Sequence, residues 1–243
     1  MSTTTIYIII AIVVILSIYF TIMTRWYKKR KQSQLEYFHK THSNKPLTQD
    51  QKQILVYGAI LAYNRGEAIF GLVPEKGTDQ YIYGLKYQWN ITNHKTAVET
   101  LTELAQLKRS SQFDVSINSE DRELIKIKKA VAKALGIDLQ DVMAVGSTYA
   151  WDTCRLVSLS KWSYWAGFIN EEQMWYFMKF ATNLAREKGK DWQDYTISFL
   201  LGRTIQGFDL SIVDIGTKQL YHSKNPVLGT QPDIDVYQKY PFK

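Results

Sequence analysis

Residues 150–168 read AWDTCRLVSLSKWSYWAGF and residues 192–203 read WQDYTISFLLGR, and we expect these two stretches to decide the fold. Both have the length and the apolar spacing of helices. Asp152, Arg155 and Arg203 nevertheless stand among positions that the helical period assigns to the apolar faces. The pattern therefore predicts a buried or half-buried polar site between helices.

A helical projection shows how far these charges point inward. With about 100° between successive residues, Arg155 falls in the middle of the apolar face, near Trp151 and Leu159. Asp152 is three residues from Arg155 and within reach of its side chain. Arg203 falls on the inward face of its own helix and has no obvious local acidic partner. Since burying an unpaired guanidinium is costly, each arginine needs an acid, several carbonyl groups or an anionic ligand.

Two hypotheses explain this candidate site. The candidate polar residues are Asp152, Arg155, Glu172 and Arg203, and the supporting residues are Trp151, Trp162, Trp192 and Gly202. In the first hypothesis the charged residues form a structural ion-pair network that holds three helices in register. In the second, the two arginines hold a phosphate or carboxylate, with Asp152 or Glu172 as acid or base. The sequence contains no zinc-ligand spacing, Walker loop or G-x-S-x-G motif, so we expect no metal and no cofactor, and we favour a non-enzymatic role.

The first 24 residues predict a membrane anchor. No charged residue occurs between Ile6 and Met23, and about 20 uncharged residues in a helix span roughly the 30 Å of a bilayer core. Trp26 and Tyr27 follow as interfacial aromatic residues, and five of the seven residues from Arg25 to Lys31 are basic. By the positive-inside rule, the N-terminus lies outside and the rest of the chain in the cytoplasm.

The net charge of +7 is concentrated in this N-terminal region. Residues 1–45 contain seven basic residues and one acid, so the remainder of the chain is nearly neutral. A nucleic-acid partner is therefore not supported, and the lipid bilayer is the partner that the charge indicates. The single cysteine, Cys154, agrees with a reducing compartment, and its place on a predicted buried helix favours an inert thiol.

We predict that the rest of the chain is also helical. The predicted fold is therefore all-α, with a single N-terminal transmembrane helix followed by a compact multi-helix globular domain. Capping residues mark the starts of the predicted helices, and Gly136 marks one end; the caps are Thr48 with Gln51, Asn93, Ser119 with Glu120 and Asp121, Asn170 and Asp191. We assign residues 1–24 to the anchor, 25–46 to a basic juxtamembrane linker or helical stalk, 47–210 to the helical domain and 211–243 to an extended tail. In the tail, the apolar run Ile212 to Ile215 suggests a strand or an extended arm.

A set of spaced residues in the domain carries a family resemblance. The set comprises Ala150-Trp151-Asp152, Arg155, Trp162, Tyr164, Gly167-Phe168-Ile169, Glu172, Trp192, Tyr195 and Leu201-Gly202-Arg203. It resembles the signature of the bacterial YbeU/YbeR-like family, also called domain of unknown function 1266, over about residues 47–210. The chain departs from that pattern at Lys161, where an arginine is usual, and at Gln206, where an aromatic residue often follows. The resemblance implies an all-helical bacterial domain and supplies no established activity.

These observations lead to one functional expectation and two alternatives. We expect a membrane-anchored bacterial protein that acts as a non-enzymatic interaction module, with a protein partner, at the cytoplasmic face of the inner membrane. One alternative is an anion-binding or catalytic pocket built on Arg155 and Arg203 with Asp152 and Glu172. The other is an immunity or antagonism-related protein that binds a toxin, which only the architecture suggests.

Overall fold

The computed structural model describes residues 2–42, 45–75, 77–117, 119, 121–210, 213–221 and 235–243. All regular secondary structure in these residues is helical, which confirms the predicted all-α class. The helices are α1 (Thr3–His42), α2 (Gln49–Val56), α3 (Ala59–Asn64), α4 (Asp79–Trp89), α5 (His94–Ala105), α6 (Lys108–Ile117), α7 (Arg122–Leu135), α8 (Leu139–Met143), α9 (Tyr149–Trp165), α10 (Glu171–Lys188), α11 (Trp192–Ile205), α12 (Val213–Tyr221) and α13 (Val236–Lys239).

The chain falls into two compact units. The first contains Met1–Pro46 and Val73–Thr78, and the second contains Leu47–Leu72 and Asp79–Lys243. In the first unit, α1 continues without interruption through the apolar and the basic segments. Its apolar part has a mean hydropathy of 2.8 and exposed side chains, so this helix is long and apolar enough to cross a membrane.

The second unit is organised around α9. All 17 residues of α9 are buried, because α10 and α11 pack along it while α3, α4, α5 and α6 cover its remaining sides. A helix that is apolar on one side only could not occupy this position. Small residues allow close approach, and a hydroxyl such as that of Ser160 donates to the carbonyl one turn back, Leu156 O, at 2.7 Å. Any charged residue on α9 must therefore find its partners inside the protein.

Side-chain caps confirm most of the predicted helix starts. Thr48, Asn93 and Asn170 form capping boxes with the residues three positions later. Asp191 accepts the backbone N–H of Asp194 at the start of α11. At the end of α7, Gly136 has a left-handed conformation with φ of 70°, as its predicted role requires.

Two of the predicted secondary-structure elements differ from the structure. The helix predicted from Thr48 to about Arg65 is divided into α2 and α3 at Gly58, where a Cβ atom would lie 2.7 Å from Val157 Cγ1. The close approach of α9 therefore requires a glycine there. The prediction of a strand or extended arm near residues 212–215 is wrong for the described part of the tail, because residues 213–221 form α12. Residues 211–212, which include the first residue of that run, and residues 222–234 lie outside the described residues.

Candidate functional site

The buried carboxylate Asp152 joins α9 to α6. Its Oδ2 accepts the backbone N–H of Arg109 at 3.1 Å and that of Ser110 at 2.8 Å, both in the first turn of α6. First-turn N–H groups have no partner within their own helix, and they attract negative charge. In return, Asp114 of α6 accepts the backbone N–H of Thr148 at 3.0 Å, at the start of α9. The two helices thus cap each other, and this arrangement fixes the position of Arg109.

Arg155 is buried beside Asp152, as the helical projection predicts. The side chain of Arg155 is 6% exposed and that of Asp152 is fully buried, and the two form an ion pair through Arg155 Nη2 and Asp152 Oδ1. Arg155 Nε also donates to the carbonyl of Trp151 at 2.7 Å. Burial lowers the pKa of Arg155 to about 10, and Asp152 opposes this shift. The guanidinium therefore stays charged at neutral pH.

A second buried carboxylate, Glu67, lies in the segment after α3. It pairs with Arg65 Nε at 3.2 Å and with Lys161 Nζ at 3.5 Å. Both of its oxygens accept the indole N–H of Trp162 at 3.1 Å. Glu67 thus neutralises Lys161 of α9 while it holds Arg65 next to the Trp162 ring, with the guanidinium carbon 4.4 Å from the ring centroid.

A cavity of about 400 Å³ lies alongside α9, and four arginines line it. They come from four different parts of the second unit: Arg65 after α3, Arg109 in α6, Arg155 in α9 and Arg203 in α11. Its other lining residues are Leu61, Asn64, Gln88, Trp89, Trp151, Leu159, Trp162, Gln206 and Phe208. No carboxylate is among the described side chains that line this space, since Asp152 and Glu67 lie outside its lining. The cavity surface consequently offers guanidinium groups, side-chain amides and aromatic rings.

Aromatic rings hold the guanidinium groups in place. The guanidinium carbon of Arg155 is 4.1 Å from the ring centroid of Trp151 and 5.3 Å from that of Trp89. Arg109 approaches the same Trp89 ring at 5.7 Å. Contact with the ring faces orients a guanidinium without using its N–H donors. The arginines therefore keep N–H groups for other partners.

Arg203 forms the cavity wall at the end of α11. It is half-buried, its Nε donates to the carbonyl of Asp209 at 2.8 Å, and its guanidinium carbon is 5.5 Å from the Phe208 ring centroid. Burial lowers the pKa of Arg203, and the nearby charge of Asp209 opposes this shift. Gly202 allows α11 to approach α9, because a Cβ atom there would lie 2.5 Å from Trp151 Cβ. The sequence prediction that Arg203 faces inward thus agrees with its position.

The structure brings together most of the predicted site residues, with two exceptions. Asp152, Arg155, Arg203, Trp151, Trp162 and Gly202 all lie at or directly beside the cavity. Glu172 is exposed in the first turn of α10 and is not part of the cavity lining. Trp192 packs elsewhere, stacked on Tyr237 of α13 with ring centroids 4.2 Å apart. Neither residue therefore contributes to this site.

Several residues of the site were not identified from the sequence, and four of them are charged or contact the arginines directly. They are Arg65, Glu67, Trp89 and Arg109. Trp89 and Arg109 lie in or next to segments that the sequence predicts as helices, but no spacing within those segments shows that they contact α9.

The buried thiol of Cys154 is not part of the cavity lining, and burial raises its pKa to about 12, so it remains protonated at neutral pH. Among the described residues, no group of three His, Cys, Asp or Glu side chains could hold a metal ion.

Fold and site together define a class of protein: an all-helical domain in which one fully buried helix borders a guanidinium-lined cavity. Comparison with protein families identifies it further. Residues 84–211, slightly more than half of the chain, match the family described as "Protein of unknown function (DUF1266)", and the chain belongs to this family. No curated protein and no solved structure matches the chain. The matched segment includes Arg109, Asp152, Arg155 and Arg203.

Proposed function

We propose that the helical domain binds an anionic small molecule in the cavity beside α9. One observation carries this proposal: four guanidinium groups line a single cavity of about 400 Å³ whose described lining contains no carboxylate. This volume is in the range of about 300–1,000 Å³ that is usual for small-ligand sites. Guanidinium groups bind phosphates and carboxylates through paired N–H donors, and they do so most strongly where water is largely excluded.

The charges around the cavity support the same proposal. Asp152 is shared between Arg155 and two backbone N–H groups. Glu67 is shared between Arg65 and Lys161. These two buried carboxylates and the nearby charge of Asp209 therefore balance only part of the positive charge beside the cavity. An anionic ligand would balance more of it, which makes binding favourable.

Anion binding accounts for the geometry better than a purely structural network does. Glu67 lies between Arg65 and Lys161, as in a structural network, whereas Arg109 and Arg203 form no ion pair with a described residue and border open space. The proposal also gives Arg203 a role that needs no second acid. The side chains that line the cavity supply charge, hydrogen-bond donors and rings, which are the components of recognition.

A thermal-shift experiment tests the proposal on the full chain in detergent. Pyrophosphate at about 100 times its dissociation constant should stabilise the domain by about 2.7 kcal/mol, a rise in Tm of about 5–10 °C. At the same pyrophosphate concentration, Arg203→Gln should reduce this rise to about half or less. Lys179→Gln removes the same charge from an exposed position of α10 and should leave the rise unchanged. If pyrophosphate, phosphate and citrate all fail to stabilise the wild-type chain, the proposal is wrong.

We further propose that α1 anchors this domain at the cytoplasmic face of a bacterial inner membrane. The support is the apolar part of α1 and the basic residues that follow it from Arg25 to Lys31. Cysteine-accessibility labelling in intact bacterial cells provides the test. A cysteine introduced at Ser2 should react with an impermeant maleimide, whereas one introduced at Lys179 should react only after the cells are permeabilised. Labelling of the Lys179 cysteine in intact cells would reverse the topology.

A further inference from the structure

The cavity has a direction, because residues of α9 line it at successive turns. Trp151, Arg155, Leu159 and Trp162 are spaced four, four and three residues apart and therefore lie along one side of the helix. At 1.5 Å per residue, the distance from the first to the last is about 16 Å. The chemical character of the lining changes along this length.

The end of the cavity near the start of α9 is cationic, and we call it the head end. Three of its members are Arg109, Arg155 and Arg203, which come from three different helices. Arg109 and Arg155 share a ring contact, and Arg203 is linked to Arg155 through two neighbouring rings. Arg109 and Arg155 both lie against the Trp89 ring. Arg155 contacts Trp151, whose ring is 5.9 Å from that of Phe208, the residue beside Arg203.

The opposite end of the cavity is largely apolar, and we call it the body end. It is lined by Leu159 and Trp162 of α9 and by Leu61 of α3. The indole N–H of Trp162 already donates to Glu67, so the part of this side chain left for a ligand is its hydrocarbon surface. The charge of Arg65 is likewise engaged by Glu67. Asn64 adds one polar side chain to this end. An apolar or flat group would pack here against Leu61, Leu159 and the ring of Trp162.

We propose that the ligand is an organic phosphate, with a doubly charged phosphate group at the head end and a flat apolar group at the body end. This inference rests on the proposed function and specifies its ligand class. Three guanidinium groups that approach from three helices suit a tetrahedral phosphate, which presents three outer oxygens. A planar carboxylate presents only two oxygens in one plane and would satisfy fewer of these donors.

Three water-soluble probes distinguish the contribution of the phosphate group to binding from that of the apolar group. Inorganic phosphate supplies the head alone, naphthyl phosphate supplies head and body, and naphthoate supplies the same body with a single negative charge. Binding is measured by titration calorimetry on the full chain in detergent, at a pH well above the second phosphate pKa of about 6. Naphthyl phosphate should bind at least about tenfold more tightly than either of the other probes, since it alone fills both ends.

Substitutions at each end of the cavity test which end binds the phosphate group and which end binds the apolar group. Arg203→Gln should weaken both phosphate probes by roughly tenfold to a hundredfold. Leu61→Asn, at a half-buried position of the body end, should weaken naphthyl phosphate by about fivefold and leave phosphate unchanged. Leu61→Met keeps an apolar side chain and serves as the matched control, with affinities close to those of the wild-type chain.

The outcomes that overturn this inference differ from those that overturn the proposed function. If naphthyl phosphate binds no better than phosphate, or if Leu61→Asn weakens both equally, the body end is not a ligand subsite although anion binding stands. If naphthoate binds as tightly as naphthyl phosphate, the ligand is not doubly charged. If none of the probes binds, or if binding is insensitive to Arg203→Gln, the proposed function fails together with this inference.

A membrane phospholipid and a soluble metabolite would share this chemistry, and reconstitution distinguishes these sources. The full chain is placed in phosphatidylcholine vesicles with and without phosphatidate. A soluble organic phosphate as the ligand predicts the same naphthyl phosphate affinity in both. If the ligand is a phospholipid, naphthyl phosphate should bind more weakly in the vesicles that contain phosphatidate, and Leu61→Asn should reduce this difference. Each result assigns the source of an organic phosphate.

Discussion

Replacing Asp152 by asparagine should strongly destabilise the domain. The carboxylate is fully buried, pairs with the guanidinium of Arg155 and accepts two backbone N–H groups from the first turn of α6. Asparagine keeps the shape and one oxygen, which can still accept the N–H groups of α6. Its NH₂ group, however, would face the N–H donors of Arg155, and the buried charge would lose its partner.

The expected magnitude follows from these contacts. Breaking a buried ion pair by removing one partner costs about 3–5 kcal/mol, and the retained oxygen places Asp152→Asn near the lower limit, about 3 kcal/mol. Arg155→Met should cost less, about 1–2 kcal/mol, because Asp152 would keep both backbone donors from α6. The double variant has no stranded guanidinium and should be more stable than Asp152→Asn alone by at least about 1 kcal/mol.

Urea unfolding of the detergent-solubilised chain, followed by tryptophan fluorescence, gives these free energies. The four proteins form a double-mutant cycle, and the coupling between the two sites is read from their midpoints at a constant m-value. A cost below about 1 kcal/mol for Asp152→Asn, or additive effects in the double variant, would refute the idea that Asp152 is the charge partner of Arg155.

Two further predictions concern packing and pH. Gly202→Ala should destabilise the domain by about 1–3 kcal/mol in the same urea assay, because the new Cβ atom would lie 2.5 Å from Trp151 Cβ. Gly84→Ala in α4 is the control: its Cβ atom would meet nothing within 4 Å, so this variant should be more stable by about 0.5–1 kcal/mol. Equal effects of the two substitutions would contradict this packing. Burial raises the pKa values of Tyr149 and Tyr195 above 10.0, so as the pH rises these tyrosines lose their protons in the unfolded chain first. The free energy of unfolding should therefore fall above about pH 10, by up to about 1.4 kcal/mol per pH unit for each residue. A free energy of unfolding, measured by urea titration, that stays constant from about pH 9 to 11 would contradict this burial.

Local sequence signals were sufficient for most of the capped helix starts and for the inward direction of the arginines. The cap at Asn93, the left-handed Gly136 and the burial of Arg155 beside Asp152 all depend on residues within four positions of each other. Such features follow from helix geometry alone. For this reason they could be predicted without knowledge of the tertiary structure.

Features that depend on contacts between distant segments could not be predicted. Glu67 reaches Trp162 across 95 residues, whereas Glu172, which is close in sequence, points to solvent. A helical projection gives the direction of a side chain but not the identity of the helix that it meets. The polar helix α6 is likewise stabilised by Asp152 of α9 rather than by its own sequence pattern. A short apolar run, such as that at the start of α12, does not distinguish helix from strand.

The most direct test of the central claim is an X-ray structure of the chain crystallised with tungstate, a tetrahedral dianion that scatters strongly. We predict anomalous density inside the cavity, within hydrogen-bond distance of the guanidinium groups of Arg155 and Arg203, and its loss in crystals of the Arg203→Gln variant. Tungstate bound only at the outer surface, with the cavity open to solvent and empty of the ion, would contradict the account.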